Sequence, residues 1–349
     1  MKHTLTSLAL ALAAASSCLA GADFIYTVDG QANLLLWRTD SRVIPVSGFQ
    51  VRRVVQPGGQ LQPLFVRDID IRPSNGQLYG VEPSGLYTID TTTGIATLVG
   101  PFGVAIEPGA MDFDPVTDEL RVVGLVGNAL RNLRINPDTG ALISNESGFS
   151  QAANPAIPVN VAEIAFTNPV AGAPAGSTRL LATYNGGQQP FIDHYLGEIG
   201  SQAGGQASFN TGVVTDIGIT VINSFSTPGG LDVSVGGIVY YCYSDGSGLG
   251  RTTHLTSLNT VTGQSTYIGR LGSSSAASNT GIAVVPPQPC TADANGDAQV
   301  DGADLSLLLA TFGQSVKPGE GADFNGDGIV DAADLSVLLA GFGLNCVAP

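Results

Sequence analysis

Two twelve-residue stretches near the C-terminus carry the side chains best placed to do chemistry. Asp293-Ala-Asn-Gly-Asp-Ala-Gln-Val-Asp-Gly-Ala-Asp304 recurs thirty residues later as Asp323-Phe-Asn-Gly-Asp-Gly-Ile-Val-Asp-Ala-Ala-Asp334. Side-chain oxygens fall at loop positions 1, 3, 5, 9 and 12. These are Asp293, Asn295, Asp297, Asp301 and Asp304 in the first loop, and Asp323, Asn325, Asp327, Asp331 and Asp334 in the second. Position 7 ligates through its backbone carbonyl, so Gln299 and Ile329 complete the two sets whatever their side chains. Hard oxygens alternating along a tight loop can converge on one Ca²⁺, which takes about six to eight of them. Four carboxylates crowded into each loop repel one another unless a cation joins them. The expectation is two Ca²⁺ ions, one per loop; a merely solvated acidic loop gives no reason for this spacing to occur twice.

The loops need elements to hold them, and an apolar stripe follows each. Leu305, Leu308, Leu309 and Phe312 follow the first loop, and Leu335, Leu338, Leu339 and Phe342 the second. Spacing of i, i+3, i+4, i+7 is one face of a helix, ended here by Gly313 and Gly343. Two such helices packed face to face make a core too small to stand without help from metal or cross-links. Cys290 and Cys346 bracket the unit and are the expected disulfide. Closing that loop would constrain the unfolded chain by about 4 kcal/mol in the entropy model. Residues 290–349 are therefore expected to fold poorly without calcium.

Over residues 290–346 this paired loop-helix pattern closely resembles the type I dockerin, a module that docks enzymes onto the cohesin domains of scaffolding proteins. The resemblance implies calcium at both loops and a cohesin-like partner. Position 6 of the first loop departs from it, because Ala298 stands where calcium loops prefer Gly. Position 12 is Asp in both copies, as is usual for dockerin-like loops. The positions that contribute to cohesin recognition in dockerins, a hydroxyl pair and a basic pair, match Gly302-Ala303 with Leu309-Ala310, and Ala332-Ala333 with Leu339-Ala340. Calcium binding thus carries over more securely than cohesin binding.

Between Gly21 and Val285 the chain reads as short strands punctuated by Gly, Pro, Asn and Asp. Four-strand units recur. One runs Ile69-Asp-Ile-Arg-Pro73 through Leu78-Tyr79 and Gly85–Gly94 to Ala96–Gly100. Others begin at Met111-Asp-Phe-Asp-Pro115, Ile164-Ala-Phe166 and Leu231-Asp-Val-Ser-Val235. Four-stranded repeats are blades of a β-propeller. Strands at Phe24–Val28, Leu34–Arg38 and Val43–Val46 lack an inner partner, which Gly281-Ile-Ala-Val-Val285 would supply from the other end. The predicted fold is an all-β propeller of about five blades closed by both termini, with a small α-helical paired loop-helix domain. A sixth blade within 185–230 and a β-sandwich are the alternatives. Residues 286–289, Pro-Pro-Gln-Pro, read as a stiff linker. The motifs Ile69-Asp-Ile-Arg-Pro73, Asp90-Thr-Thr-Thr-Gly94 and Asn132-Leu-Arg-Ile-Asn-Pro-Asp-Thr-Gly140 resemble a secreted domain-of-unknown-function family, number 4394. That resemblance implies a propeller-like fold and export, and supplies no activity.

Aligning the units puts Asp70, Asp112 and Asp232 at one position of the inner strands, with Ala165 and Ala283 in the other two. Inner strands line the channel, so these carboxylates could hold a cation or serve as the paired acids of a glycosidase. The competing reading, which is favoured, is that each accepts backbone N–H groups at a blade junction and repeats because the blade repeats. No Gly-x-Ser-x-Gly elbow and no His-Glu-x-x-His occurs, and His194 and His254 sit in ordinary strand or loop contexts. Trp37 is the sole tryptophan, and Tyr79, Tyr87, Tyr240 and Tyr241 alternate with aliphatics as packing residues do. Neither favours the exposed aromatics that stack on sugars. Arg72, Arg121, Arg131 and Arg134 read as blade-edge and turn residues paired with carboxylates.

Residues 1–20 read as an export signal: Lys2 and His3, an apolar run from Leu5 to Ala15, and Cys18 and Ala20 at −3 and −1 of a cleavage site. Lipidation of Cys18 is the competing reading, although Ala15-Ser16-Ser17 lacks the usual leucine. No other stretch is apolar enough to suggest a transmembrane segment. Export implies an oxidising compartment, extracellular or periplasmic, in which Cys242 is expected as a buried thiol. The 349 residues hold 29 Asp and Glu against 14 Lys and Arg, a net charge of −15 that excludes nucleic acid as a partner. Nine of those carboxylates and one lysine lie in residues 290–349, so the acidity concentrates in the calcium loops. The expectation is a secreted, non-enzymatic binding or cell-surface-associated protein on a calcium-dependent tether. The alternative is a dockerin-bearing glycoside hydrolase or carbohydrate binder acting on polysaccharide through the channel carboxylates. A third reading makes the C-terminal unit a folding cap or sorting tag.

Overall fold

The computed structural model describes residues 23–39, 45–55, 59–185, 194–201, 204–221, 226–245, 252–271, 279–286, 292–295 and 300–343. Short alternating strands close by tight turns into five sheets, antiparallel throughout except where the strands Arg52–Val55 and Ser150–Gln151 add in parallel at the outer edges of the second and fourth. The first sheet takes β1 (Phe24–Asp29), β2 (Asn33–Arg38) and β3 (Pro45–Gln50) from the N-terminal side. A hairpin of β4 (Arg52–Val55) and β5 (Gln60–Pro63) then joins the outer edge of the second sheet, built from β6 (Asp68–Ile71), β7 (Leu78–Glu82), β8 (Gly85–Ile89) and β9 (Ile95–Gly100). The third holds β10 (Glu107–Phe113), β11 (Leu120–Val126), β12 (Ala129–Ile135) and β13 (Leu142–Asn145). A two-residue strand, β14 (Ser150–Gln151), edges the fourth, which runs β15 (Asn160–Phe166), β16 (Leu180–Asn185), β17 (His194–Ile199), a short helix α1 (Gly205–Phe209) and β18 (Val213–Val221). The fifth is β19 (Thr227–Val233), β20 (Val239–Asp245), β21 (Thr252–Leu258) and β22 (Ser265–Leu271).

The last strand, β23 (Asn279–Val284), pairs antiparallel with β1, Ile25 opposite Val284 and Thr27 opposite Ile282. The first blade is thus assembled from both ends of the chain, which leaves no open inner edge. This is the closure expected from the sequence. Three details differ. The outer strand of the first blade, expected at Val43–Val46, is described over Pro45–Gln50 with a β-bulge in its pairing opposite Leu36 and Trp37, while Val43 and Ile44 lie outside the described residues. Among the described residues, 185–230 forms no sixth blade; it supplies β17, α1 and β18 to the fourth and the start of β19 to the fifth. The β4–β5 hairpin and β14 carry no repeat signal, and they pair only with outer strands.

Five apolar clusters, one per junction, hold the ring. Ile69 and Leu78 meet Val28 and Leu34; Tyr79 and Val81 meet Phe113 and Val122; Val123 meets Ile164 and Tyr184. Leu181 and Leu196 meet Leu231 and Tyr241, and Tyr240 and Cys242 meet Ile25, Trp37 and Ile282. Alternation on each strand sends successive side chains to opposite blade neighbours, so every blade is apolar on both faces. Trp37 is 1% exposed and its indole N–H donates to Thr27 Oγ1 at 2.8 Å. Cys242 is a buried thiol, as expected. The third turn has one design in the second, third and fifth blades. Asp90 Oδ1 accepts from the N–H groups of Thr92 and Thr93, and Asn136 and Asn259 do the same in their blades. Gly140 (φ +71°) ends one such turn against the backbone of Gly100, where a Cβ would come within 2.3 Å of a carbonyl oxygen. No side chain fits there.

Beyond the propeller, α2 (Gly302–Thr311) and α3 (Ala332–Ala340) follow the two acidic loops. Leu308 and Leu338 are fully buried with Val300 and Val330, and Leu305 and Leu335 partly so. The predicted four-residue stripes split at this point. Leu309, Phe312, Leu339 and Phe342 are 59%, 47%, 58% and 49% exposed. A contact between two helices this short covers about one side chain per turn, so the i+4 and i+7 positions stay outside it.

Candidate metal centres

The described parts of the two loops are built alike. In the second, Asp334 is buried, and its Oδ1 accepts from the N–H groups of Phe324 (2.8 Å) and Asn325 (3.0 Å). Its Oδ2 accepts from Asp331 N–H (2.9 Å), while Asp331 caps α3 by accepting from Ala333 N–H (2.7 Å). The first loop repeats this: Asp304 accepts from Ala294, Asn295 and Asp301, and Asp301 caps α2. Positions 9 and 12 therefore fasten each loop to the first turn of its helix. Gly313 N–H donates to Val330 O and Gly343 N–H to Val300 O, which ties each helix end to the opposite loop.

Asp323 Oδ1 accepts from Gly326 and Asp327, and its Oδ2 from Gly319 and Gly328. Desolvation works against ionisation there, but these four backbone donors hold the Asp323 carboxyl below its ordinary pKa. Gly328, at position 6, sits at φ +86°, the left-handed turn for which glycine is preferred. The second loop thus presents Asp323, Asn325, Asp327, Asp331 and Asp334 with the Ile329 carbonyl: hard oxygen donors throughout, and no ion pair to a basic side chain among the described residues. That donor set fits Ca²⁺. In the first loop Asp293, Asn295, Asp301 and Asp304 are described, whereas Asp297, Ala298 and Gln299 lie outside the described residues, as do Cys290 and Cys346.

In the propeller, Asp70, Asp112 and Asp232 do converge: one carboxylate oxygen from each lies within 4.8 Å of the others, and all three are buried. They come from β6, β10 and β19, on three blades. Each also staples its blade to the next. Ile71 N–H donates to Asp70 Oδ1 (2.6 Å) and Phe113 N–H to Oδ2 (2.9 Å). Val233 N–H donates to Asp232 Oδ1 and Val284 N–H to Oδ2. The Phe166 N–H faces Asp112. The favoured expectation for these residues, blade-junction acceptors, describes the geometry.

Two further channel carboxylates were not legible from the alignment of single positions. Asp68 and Glu163 precede Asp70 and Ala165 by two residues, so they share the channel face of their strands. Asp68 accepts from Ile69 (2.9 Å) and Met111 (2.7 Å) and also faces Ile282 N–H across the closure. Glu163 is buried and its Oε2 has no hydrogen-bond partner. The i, i+2 alternation was the signal that could have found both. Burial first, and then mutual repulsion, raises the carboxyls of Asp68, Asp70, Asp112 and Glu163 well above their ordinary range. Asp232 is pushed by burial to about 7 against the opposing N–H groups of Val284 and Val233.

The remaining candidates have structural partners. His194 is buried with Nδ1 2.6 Å from the Tyr241 hydroxyl, and His254 pairs with Asp245 at 3.0 Å. Arg72 bridges Asp118 and Asp138, Arg134 bridges Glu119 and Glu146, and buried Arg121 donates to Asn132 and Asn210. Tyr79, Tyr87, Tyr240 and Tyr241 are buried, as packing residues should be. No described helix is long and apolar enough to cross a membrane.

No curated protein matches the chain. Among solved structures, a functionally unknown protein from Desulfotomaculum acetoxidans DSM 771 is 15% identical at a TM-score of 0.35, covering 72% of this chain and 80% of that one. The nidogen/laminin complex is 8% identical at a TM-score of 0.41, covering 76% and 98%. The model of the type I dockerin domain matches residues 291–340, and dockerins of this type bind calcium. The model described as "Domain of unknown function (DUF4394)" matches residues 53–283. With two thirds of its length under that one model, the chain belongs to the DUF4394 family and carries a type I dockerin domain behind the propeller.

Proposed function

We propose that this protein is an exported, non-catalytic binding platform, held to a cohesin-like receptor by its dockerin domain in a calcium-dependent way. The observation that carries the proposal is the near-identity of the two loops: the same oxygen positions, the same Asp cap and the same buried position-12 carboxylate, each followed by a helix. Two Ca²⁺ ions, one per loop, fix the helices relative to each other. That leaves Leu309 and Phe312 on one helix, and Leu339 and Phe342 on the other, as a duplicated apolar surface. A receptor for this surface presents an apolar patch rather than the acidic and hydroxyl-seeking groups suited to a basic dockerin face. The bonding of Asp70 and Asp232 supports binding over glycoside hydrolysis, since each has one oxygen held by its own strand and the other by the backbone of the adjacent blade.

Calorimetry of the full chain with Ca²⁺, followed by binding to a panel of cohesin domains with and without chelator, tests this. Binding lost in chelator and in Leu309→Asp/Leu339→Asp supports the tether. Equal binding in both conditions, or release of sugar from polysaccharide by the full chain, overturns it.

A further inference from the structure

Five carboxylates face the propeller channel in two layers: Asp70, Asp112 and Asp232 in one, Asp68 and Glu163 a strand step away. None of the five makes an ion pair with a basic side chain among the described residues. Asp70 and Asp232 nevertheless have a backbone N–H directed at each of their two oxygens. A donor on both oxygens suits a carboxylate better than a carboxylic acid, whose hydroxyl oxygen is the poorer acceptor. The backbone at Asp70 and Asp232 is therefore arranged for carboxylates, and no basic side chain among the described residues pairs with the three acidic groups closest together.

Each oxygen that accepts one N–H keeps a second lone pair. The one-from-each oxygens of Asp70, Asp112 and Asp232 lie within 4.8 Å of one another, twice a Ca²⁺–oxygen distance of about 2.4 Å. Between them and the rim residues Pro73, Pro169 and Pro286 a cavity leaves about 20 Å³. That is room for one water or one bare ion. The other two blades place only Ala165 and Ala283 at this level, so no large side chain fills the axis. An independent observation points the same way. Glu163 projects from the face of β15 that carries Ala165, is 6% exposed, and leaves Oε2 without a partner. A buried carboxylate oxygen with nothing bonded to it calls for a ligand. A groove of about 450 Å³ lined by Arg67, Glu107, Asn160, Glu163 and Pro228 reaches this residue from the other end of the inner strands.

We propose that the propeller channel binds one hard divalent cation, ligated by Asp70, Asp112 and Asp232 from three blades, with Glu163 in the adjoining oxygen layer. The all-oxygen ligand set selects Ca²⁺, Mg²⁺ or Mn²⁺ over softer metals. The ion adds to the backbone staples by drawing three blades toward one centre. This site is separate from the dockerin loops, and its occupancy does not depend on them.

The test is metal content per folded chain after equilibration with each of the three ions and gel filtration. Asp112→Asn, Glu163→Gln and the loop variant Asp323→Ala are measured beside the parent. Trp37 emission verifies that each propeller is folded. Asp112→Asn should hold one ion fewer than the parent, and Glu163→Gln should bind that ion at least about tenfold more weakly. Asp323→Ala should lose a different ion and keep this one. Should Asp112→Asn fail to fold, Glu163→Gln decides alone. Equal metal content in the parent and in both folded channel variants overturns the proposal. Equal content in the parent and Asp323→Ala strikes the loop reading instead.

Discussion

Asp70 on the second blade and Phe113 on the third are joined through a single carboxylate oxygen, the Phe113 N–H donating to Asp70 Oδ2 at 2.9 Å. Two residues earlier, Met111 N–H donates to Asp68 Oδ2 at 2.7 Å, so the two Asp residues grip one inner strand at successive steps. The strand ladders run within each sheet, and these side chains add hydrogen bonds between sheets where the inner strands come closest. Asp68→Ala should leave buried N–H groups without acceptors, at about 2–5 kcal/mol in all, and Asp68→Asn roughly half as much. Urea denaturation followed by Trp37 emission measures both. Equal losses would show that the carboxylate acts by filling space.

Trp37 is the sole tryptophan and lies at the junction of the first and fifth blades. Its emission reports the ring alone, while far-ultraviolet dichroism also sees α2 and α3. Chelator at 25 °C should reduce the helical signal and leave Trp37 emission unchanged. A parallel loss of both signals would mean that the dockerin domain and the propeller fold as one unit. Trp37→Ala should destabilise the ring by about 3–5 kcal/mol.

The loops differ at position 6, where Gly328 adopts φ +86° and the first copy has Ala298. An L-residue in that left-handed turn costs on the order of 1–2 kcal/mol. The first site should therefore bind Ca²⁺ about tenfold more weakly than the second, and Ala298→Gly should close the gap. Two-step calorimetric titration of the full chain reads this directly; identical affinities before and after the change would contradict it.

Channel carboxylates link stability to pH. Asp232 has a pKa of about 7 in the folded protein against 3.8 as its ordinary value. A raised folded pKa means that folding favours the proton, so this contribution is complete below the ordinary value and is lost as pH rises through about 7. Asp68, Asp70, Asp112 and Glu163 shift in the same direction. In chelator, the Trp37-detected Tm should fall between pH 5 and pH 8. Saturating divalent cation should flatten that fall. A Tm rising with pH in chelator would show that other groups dominate.

Local spacing alone determined the paired acidic loops, the run of about five four-strand repeats and the closure by Gly281–Val285, because each rests on a short periodic pattern that no distant contact can disguise. Blade position likewise placed Asp70, Asp112 and Asp232 together, since equivalent residues of a closed ring meet at its axis. Tertiary structure decided what periodicity leaves open. It set which half of each apolar stripe is covered, burying Leu308 and Leu338 and exposing Leu309 and Leu339, because a helix pair has a contact narrower than its apolar face. It drew 185–230 into the fourth blade instead of a sixth. It also brought Asp68 and Glu163 into the channel beside residues far away in the chain, and their burial and bonding exist only once five separate strands share one axis.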